Sequence, residues 1–223
     1  MKIGILSQYN HPFSGYVIRK IKSKFDLECI ILEKKGFNEK DKKIWYERTS
    51  NKLPNINIED HNDIEIKYVN NHSDISVENI IIKKNLDLLI NLGTAGIIKK
   101  NIISSIAKGI LNCHPGMLPD YKGCSCVEWA LYNNDLVGNS CHLMTENIDD
   151  GPIINREKIN IQKNDSYQQI RRKVYMNSID LQIKALKLLQ NKSNFKSISG
   201  GTYYYPIEDK MMNEVYKKYR NEN

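Results

Sequence analysis

LDLLINLGTAGII, residues 86–98, joins an unbroken apolar run to a glycine-bearing loop. A strand with one face in water alternates apolar and polar residues, whereas a strand covered on both faces reads as continuous Leu and Ile. Residues 86–92 are of the second kind and are expected as an inner strand of a parallel sheet. KIGILS (2–7), LECIILE (27–33) and ILNCH (110–114) are similar short apolar runs, and IEIKYV (64–69) alternates as a strand does. Between them, SGYVIRKIKSKF (14–25), SVENIIIKKN (76–85, with Ser76 as N-cap) and NIISSIAKG (101–109) read as helices. Strands alternating with helices make βαβ units, so the expected class is α/β, a Rossmann-like mostly parallel sheet with helices on both faces.

Farther out, KIWYER suggests a short helix, followed by a helix over 125–134 and strands over 139–145 and 153–161. Ser166 and Gln169 form a capping-box pattern opening a long helix that should end near Lys192. With no repeat, flexible linker or low-complexity tract, residues 1–223 are expected as one domain, with a helical, Tyr-rich extension from about residue 193.

The 223 residues carry a net charge of +7 and five cysteines. The lysines are dispersed and lack aromatic interleaving, which argues against a nucleic-acid partner. No apolar run reaches the roughly 20 residues needed to span a bilayer. The first residues lack a signal-peptide pattern, and the cysteines lack a metal-binding spacing. A cytoplasmic protein with reduced thiols and no bound metal is expected.

Ligands of open parallel sheets sit beyond the carboxyl ends of the strands. Three loops fall there: SQYNHPFSG (7–15), GTAGII (93–98) and CHPGMLPDYKG (113–123). Entering the third, Asn112 and His114 lie two apart on a strand and face one side, with Cys113 facing the other. Pro115 and Pro119 stiffen the chain behind them. MTENIDDGPII (144–154) places Asp149 and Asp150 in a Gly-Pro turn. Singly, these are a loop cap, a structural histidine and a solvated turn.

Together, Asn–Cys–His–Pro–Gly–Met–Leu–Pro–Asp–Tyr–Lys–Gly (112–123) and Asp–Asp–Gly–Pro–Ile–Ile (149–154) resemble the folate-dependent formyltransferases, over residues 65 to 160. The resemblance implies formyl transfer from 10-formyltetrahydrofolate, a co-substrate, to an amine without a metal. It makes Asn112 and a protonated His114 the donors to the oxyanion. Asp149 would hold the imidazole, raise its pKa and help take the proton of the attacking amine. Gly93, Thr94, Ala95, Gly96, Ile97 and Ile98 would meet the pterin, with Glu146, Asn147 and Ile148 closing its other side. Ser7, His11, Ser14, Pro115 and Gly116 are the candidate acceptor contacts.

Gly116 stands where purine-pathway relatives usually have Ser, and loop 7–15 lacks their Gly-rich phosphate loop. Residues 113–135 look most like formyltransferases acting on nucleotide-linked amino sugars for surface polysaccharide (O-antigen). The alternatives are a glycinamide ribonucleotide or other small-amine formyltransferase, and a folate- or nucleotide-binding module without turnover. Small molecules are the expected partners, with no nucleic acid or membrane, and a homodimer is allowed. His142 and Trp129 read as structural. The aromatic C-terminus is open between lid, base-stacking surface and dimer packing.

Overall fold

Runs of Leu and Ile become strands whose neighbours lie on either side. A computed structural model describes residues 1–94, 96–191, 194–197 and 199–222. The chain divides into two compact units, one of residues 1–42, 54–112 and 143–146, the other of 43–53, 113–142 and 147–223.

The first unit contains β1 (Ile3–Gln8), α1 (Ser14–Lys22), β2 (Leu27–Glu33) and the start of α2 (Glu39–Thr49). A 3-10 turn (Ile58–Asp60), β3 (Ile66–Val69), α3 (Ile75–Lys84), β4 (Leu88–Asn91), α4 (Lys100–Ser105) and most of β5 (Ile110–His114) follow. The strands run parallel in the order β3-β2-β1-β4-β5. The chain moves one way from β1 to β2 and the opposite way from β3 to β4 and β5. Right-handed crossovers therefore put α1 on one face and α3 and α4 on the other. The core agrees: Leu6, Ile31, Leu89 and Ile110 pack with Val77 and Ile81 of α3 and Ile102 of α4. Ile5, Ile30 and Ile90, in register and fully buried, face the opposite side. Burying each such side chain stabilises by about 1.5–3 kcal/mol.

One cap differs from expectation. Asp74 is the N-cap of α3, and its carboxylate accepts the Ser76 N–H at 2.8 Å, so Ser76 lies inside the helix. An ionised Asp in extended backbone two residues upstream satisfies the orphan N–H of Ser76 and suits the helix dipole better than a neutral Ser.

The second unit contains the rest of α2, then β6 (Tyr121–Gly123), α5 (Cys126–Tyr132), β7 (Gly138–Leu143), β8 (Ile153–Lys158) and α6 (Tyr167–Asn191). It closes with β9 (Thr202–Tyr204) and α7 (Asp209–Lys218). β7 and β8 form an antiparallel hairpin, and β6 and β9 a parallel pair. The capping box of α6 is made reciprocally: Ser166 N–H to Gln169 Oε1 at 2.7 Å, and Gln169 N–H to Ser166 Oγ at 3.1 Å. Lys192, the expected end of that helix, lies outside the described residues. A buried charge cluster ties α2, α5 and α6, with Glu128 Oε1 at 2.6 Å from Tyr167 Oη and 3.4 Å from Arg48 Nε. Burial alone would raise the Glu128 carboxyl, but Arg171 and Arg48 beside it hold it at about 2. Among the described residues no helix is long and apolar enough to cross a membrane.

Candidate active site

In the second unit, β5 ends at His114, which is 4% exposed and flanked by two acceptors. Its Nε2 lies 2.9 Å from the Tyr121 carbonyl, and its Nδ1 lies 3.2 Å from Asp149 Oδ2. The same Oδ2 accepts the Gly123 N–H at 2.9 Å, and Oδ1 lies 3.4 Å from His142 Nε2. Tyr121 and Gly123, two apart on β6, thus hold the two ends of the His114–Asp149 pair. Asp149 takes left-handed backbone (φ 52°), which Asp tolerates better than most residues. Asp150 turns away to pair with Lys122. Of the two neighbouring aspartates, Asp149 is the one against the imidazole.

A neutral imidazole has one N–H and cannot donate to both acceptors; only the imidazolium can. Burial nevertheless pushes the His114 pKa below its ordinary value, with Asp149 and the Tyr121 carbonyl pulling it up and His142 adding to the fall. Asp149 raises the His114 pKa as the resemblance implied, but desolvation outweighs it, so the net direction is down rather than up. Burial likewise opposes ionisation of Asp149, but the His142 hydrogen bond, the His114 charge and the Gly123 N–H carry its carboxyl below the usual value. The result is an anion beside a ring that holds its extra proton loosely, which suits a group that exchanges a proton during reaction.

Gly116 makes room for this arrangement. A Cβ there would come within 2.6 Å of His114 Nε2 and 2.7 Å of the Tyr121 carbonyl. Pro115 beside it is half-buried.

In the first unit, Asn112 Oδ1 accepts from Asn91 Nδ2 at 3.1 Å, and Asn91 Oδ1 accepts the Gly93 N–H at 3.1 Å. Asn91 on β4 therefore orients the Asn112 amide and anchors the next loop. Gly93 has φ 105°, and a Cβ there would press on the His11 ring at 3.0 Å. Thr94 Oγ1 donates to the Gly96 carbonyl at 3.3 Å, and the Ile97 carbonyl accepts from Ser73 Oγ at 3.0 Å. A Cβ on Gly96 would meet nothing, Ile97 is 71% exposed, and Ile98 is buried. An open backbone next to an exposed apolar side chain fits a flat heterocycle. Ala95 lies outside the described residues. Glu146 pairs with Lys100 at 2.9 Å. In the second unit Asn147 hydrogen-bonds Asp150, and Ile148 is exposed. No group of three His, Cys, Asp or Glu side chains among the described residues is placed to hold a metal.

The loop after β1 is turned inward. His11 Nδ1 accepts the N–H groups of Phe13 (3.3 Å) and Ser14 (3.2 Å), which open α1, and lies 2.8 Å from Ser14 Oγ. The Ser14 hydroxyl donates to the Leu92 carbonyl at 2.7 Å. Burial, partly offset by Asp41, lowers the His11 pKa to about 4, so the ring is a neutral acceptor. Ser7 is fully buried, and its hydroxyl lacks a hydrogen-bond partner among the described residues.

Sequence reasoning missed His142, Asn91 and the two β6 groups. Reading residues 138–158 as a hairpin would have found His142, because that fold returns the Asp149 turn to its own strand end. Asn91 was signalled by a polar residue interrupting an apolar run at its carboxyl end. The backbone groups of β6 left no signal.

A family model described as formyl transferase matches residues 37–186, more than half of the chain. The GDP-perosamine N-formyltransferase of Brucella melitensis is 30% identical over 120 residues, covering 53% of this chain and 46% of that protein. The chain spans less than half the length of such curated relatives. A phosphoribosylglycinamide formyltransferase from Anaplasma phagocytophilum matches with a TM-score of 0.67 at 18% identity, over 93% of this chain and 99% of that one. The formyltransferase PseJ from Anoxybacillus kamchatkensis, solved with UDP-4,6-dideoxy-4-formamido-L-AltNAc and tetrahydrofolate, matches with a TM-score of 0.60 at 18% identity, over 94% and 88%. At those identities the two structures speak for the fold.

Proposed function

The chain belongs to the formyl transferase family, and from that premise we propose that it moves a formyl group from 10-formyltetrahydrofolate to the amine of a nucleotide-linked amino sugar. The observation that carries the reading is His114, buried between the Asp149 carboxylate and the Tyr121 carbonyl. When an amine attacks the formyl carbon, negative charge builds on the formyl oxygen, and fixed donors lower that barrier. Asn112, its oxygen held by Asn91, presents its NH2 end, and His114 follows two residues later on the same strand. Asp149 then draws the proton shed by the amine, directly or through water; that proton passes to the folate nitrogen as its bond to the formyl carbon breaks, releasing tetrahydrofolate and the formylated amine. A module that only binds folate or nucleotide has no need of an imidazole pinned between acceptors.

The formyl donor would rest on Gly93, Thr94 and residues 96–98, where the open Gly96 backbone and exposed Ile97 offer a flat surface. Small phosphorylated acceptors are disfavoured by the loop after β1. A helix N-terminus that binds phosphate aims its N–H groups at the anion. Here the N–H groups of Phe13 and Ser14 already point at His11. The name of the Brucella relative supports a sugar nucleotide as acceptor. We read the described residues as one catalytic domain, acting in the cytoplasm in surface-polysaccharide synthesis. A homodimer is compatible with this chemistry and not required by it.

The test is a panel of nucleotide-linked amino sugars incubated with 10-formyltetrahydrofolate and read by mass. At least one should gain a formyl group, with little transfer to glycinamide ribonucleotide or methionyl-tRNA. Efficient formylation of glycinamide ribonucleotide with every sugar nucleotide refused would overturn the acceptor assignment.

A further inference from the structure

The C-terminal segment is about fifty residues beyond Asp149 in sequence, yet it is hydrogen-bonded to the strand that holds both members of the pair. β6 gives the Tyr121 carbonyl to His114 and the Gly123 N–H to Asp149. Its partner in the sheet is β9, in register Tyr121 with Thr202, Lys122 with Tyr203 and Gly123 with Tyr204. Hydrogen bonds extend the pairing at both ends, Thr202 N–H to the Asp120 carbonyl at 3.2 Å and Cys124 N–H to the Tyr204 carbonyl at 2.8 Å. The Tyr204 ring stacks on Tyr121 with centroids 4.9 Å apart and planes within 9°, and it also packs on Trp129 at 5.4 Å. Trp129 Nε1 donates to the Tyr205 carbonyl at 2.8 Å, fastening the segment to α5.

The approach of the two strands is close enough to require glycine. A Cβ on Gly201 would fall 1.6 Å from the Pro119 carbonyl oxygen, and one on Gly123 would fall 2.4 Å from the Tyr204 carbonyl oxygen. Both residues also have positive φ (83° and 89°). A three-residue strand in a two-stranded pair is marginal by itself. The position of β6 therefore depends on the packing that β9 brings.

We infer that β9, anchored by Tyr204, is a positioning element for the reaction. It holds β6 so that one carbonyl and one N–H set the geometry between His114 and Asp149. Tyr204 stacks on Tyr121 and acts through it. The inference rests on the assignment of His114 and Asp149 as the acting pair.

The experiment compares the full chain with Tyr204→Ala and Tyr204→Phe. The His114 ring is followed by nitrogen NMR through a pH titration without substrate, beside kcat and KM with the best acceptor of the panel. The ring reports the groups facing it, which are Asp149, His142 and the Tyr121 carbonyl. In Tyr204→Ala the His114 signals and their titration midpoint should move. Its kcat should fall roughly 10- to 100-fold, as sub-ångström misplacement of reacting groups does, with KM changing less than about threefold. Tyr204→Phe keeps the stacked ring and should restore both. If Tyr204→Ala fails to melt cooperatively, Tyr204→Leu, which keeps apolar bulk without the stack, is read the same way. An unmoved His114 titration in the folded variant overturns the inference, and so does equal loss in the Phe and Ala variants. Because the ring is read without substrate, an error in the acceptor assignment leaves this outcome intact.

Discussion

His11 lies just past the carboxyl end of β1 and His114 ends β5, and their neighbours differ in polarity. His11, in the loop after β1, is met by donors: the N–H groups of Phe13 and Ser14 converge on its Nδ1. His114, at the end of β5, is met by acceptors: the Asp149 carboxylate and the Tyr121 carbonyl. Burial lowers the pKa of both. Donors then reinforce the neutral ring at His11, whereas acceptors at His114 favour the cation that burial resists. Burial sets the cost of charge, and the polarity of the partners decides which protonation state of the ring they favour.

Substitution at the two positions should separate them most strongly. His114→Ala is expected to lower kcat about 10²- to 10³-fold, the usual effect of removing an oxyanion donor, with cooperative unfolding retained. His11→Ala should act on stability, since it removes the cap of α1, costing about 1–2 kcal/mol in urea unfolding. If the two substitutions cost activity equally, the comparison fails.

The next effect concerns what faces the His114 ring. Asp149→Asn should lose most of the turnover, whereas Asp150→Asn, whose partner is Lys122, should stay within a few-fold of wild type. A reversed ranking in the same assay would move the working carboxylate from Asp149 to Asp150.

A smaller loss is expected from Gly116→Ala. The added methyl must displace the His114 ring or the Tyr121 carbonyl, which it would approach to 2.6 and 2.7 Å. The expected fall in kcat is on the order of tenfold, from misalignment rather than from loss of a group. A fully active Gly116→Ala would show that the His114–Tyr121 contact is dispensable.

The last effect is a pH dependence of stability rather than of turnover. His11 has a folded pKa of about 4 against an ordinary 6.5, so between those values the unfolded chain binds more protons than the folded one. The stability contributed by its neutral form is complete above about pH 6.5 and is lost as pH falls toward 4. Unfolding free energies should therefore fall less steeply over that window in His11→Gln than in wild type. Parallel curves would mean that His11 does not titrate as its surroundings require.

Much of the fold was legible because it is written locally. The buried runs at 2–7, 27–33 and 86–92 became β1, β2 and β4, and Ser166 with Gln169 closed the capping box of α6. The paired positions Asn112 and His114 lie on one strand, as two-residue spacing requires. Less was legible where elements are too short to carry a period. β6 and β9 have three residues each, and the helix expected at KIWYER extends over Glu39–Thr49. A polar helix has few apolar positions from which to read its ends.

The sequence by itself determined the parallel α/β class and the residues worth suspecting, because side-chain periodicity and backbone restriction act within a few residues along the chain. Only the tertiary structure decided what those residues meet. His11 is turned inward by Phe13 and Ser14, Asp149 is set against His114 while Asp150 faces Lys122, and the clamp on both comes from backbone groups of β6 backed by β9. Charge state, hydrogen-bond polarity and desolvation depend on neighbours brought from distant parts of the chain, and a carbonyl or an N–H looks the same in every residue of a sequence.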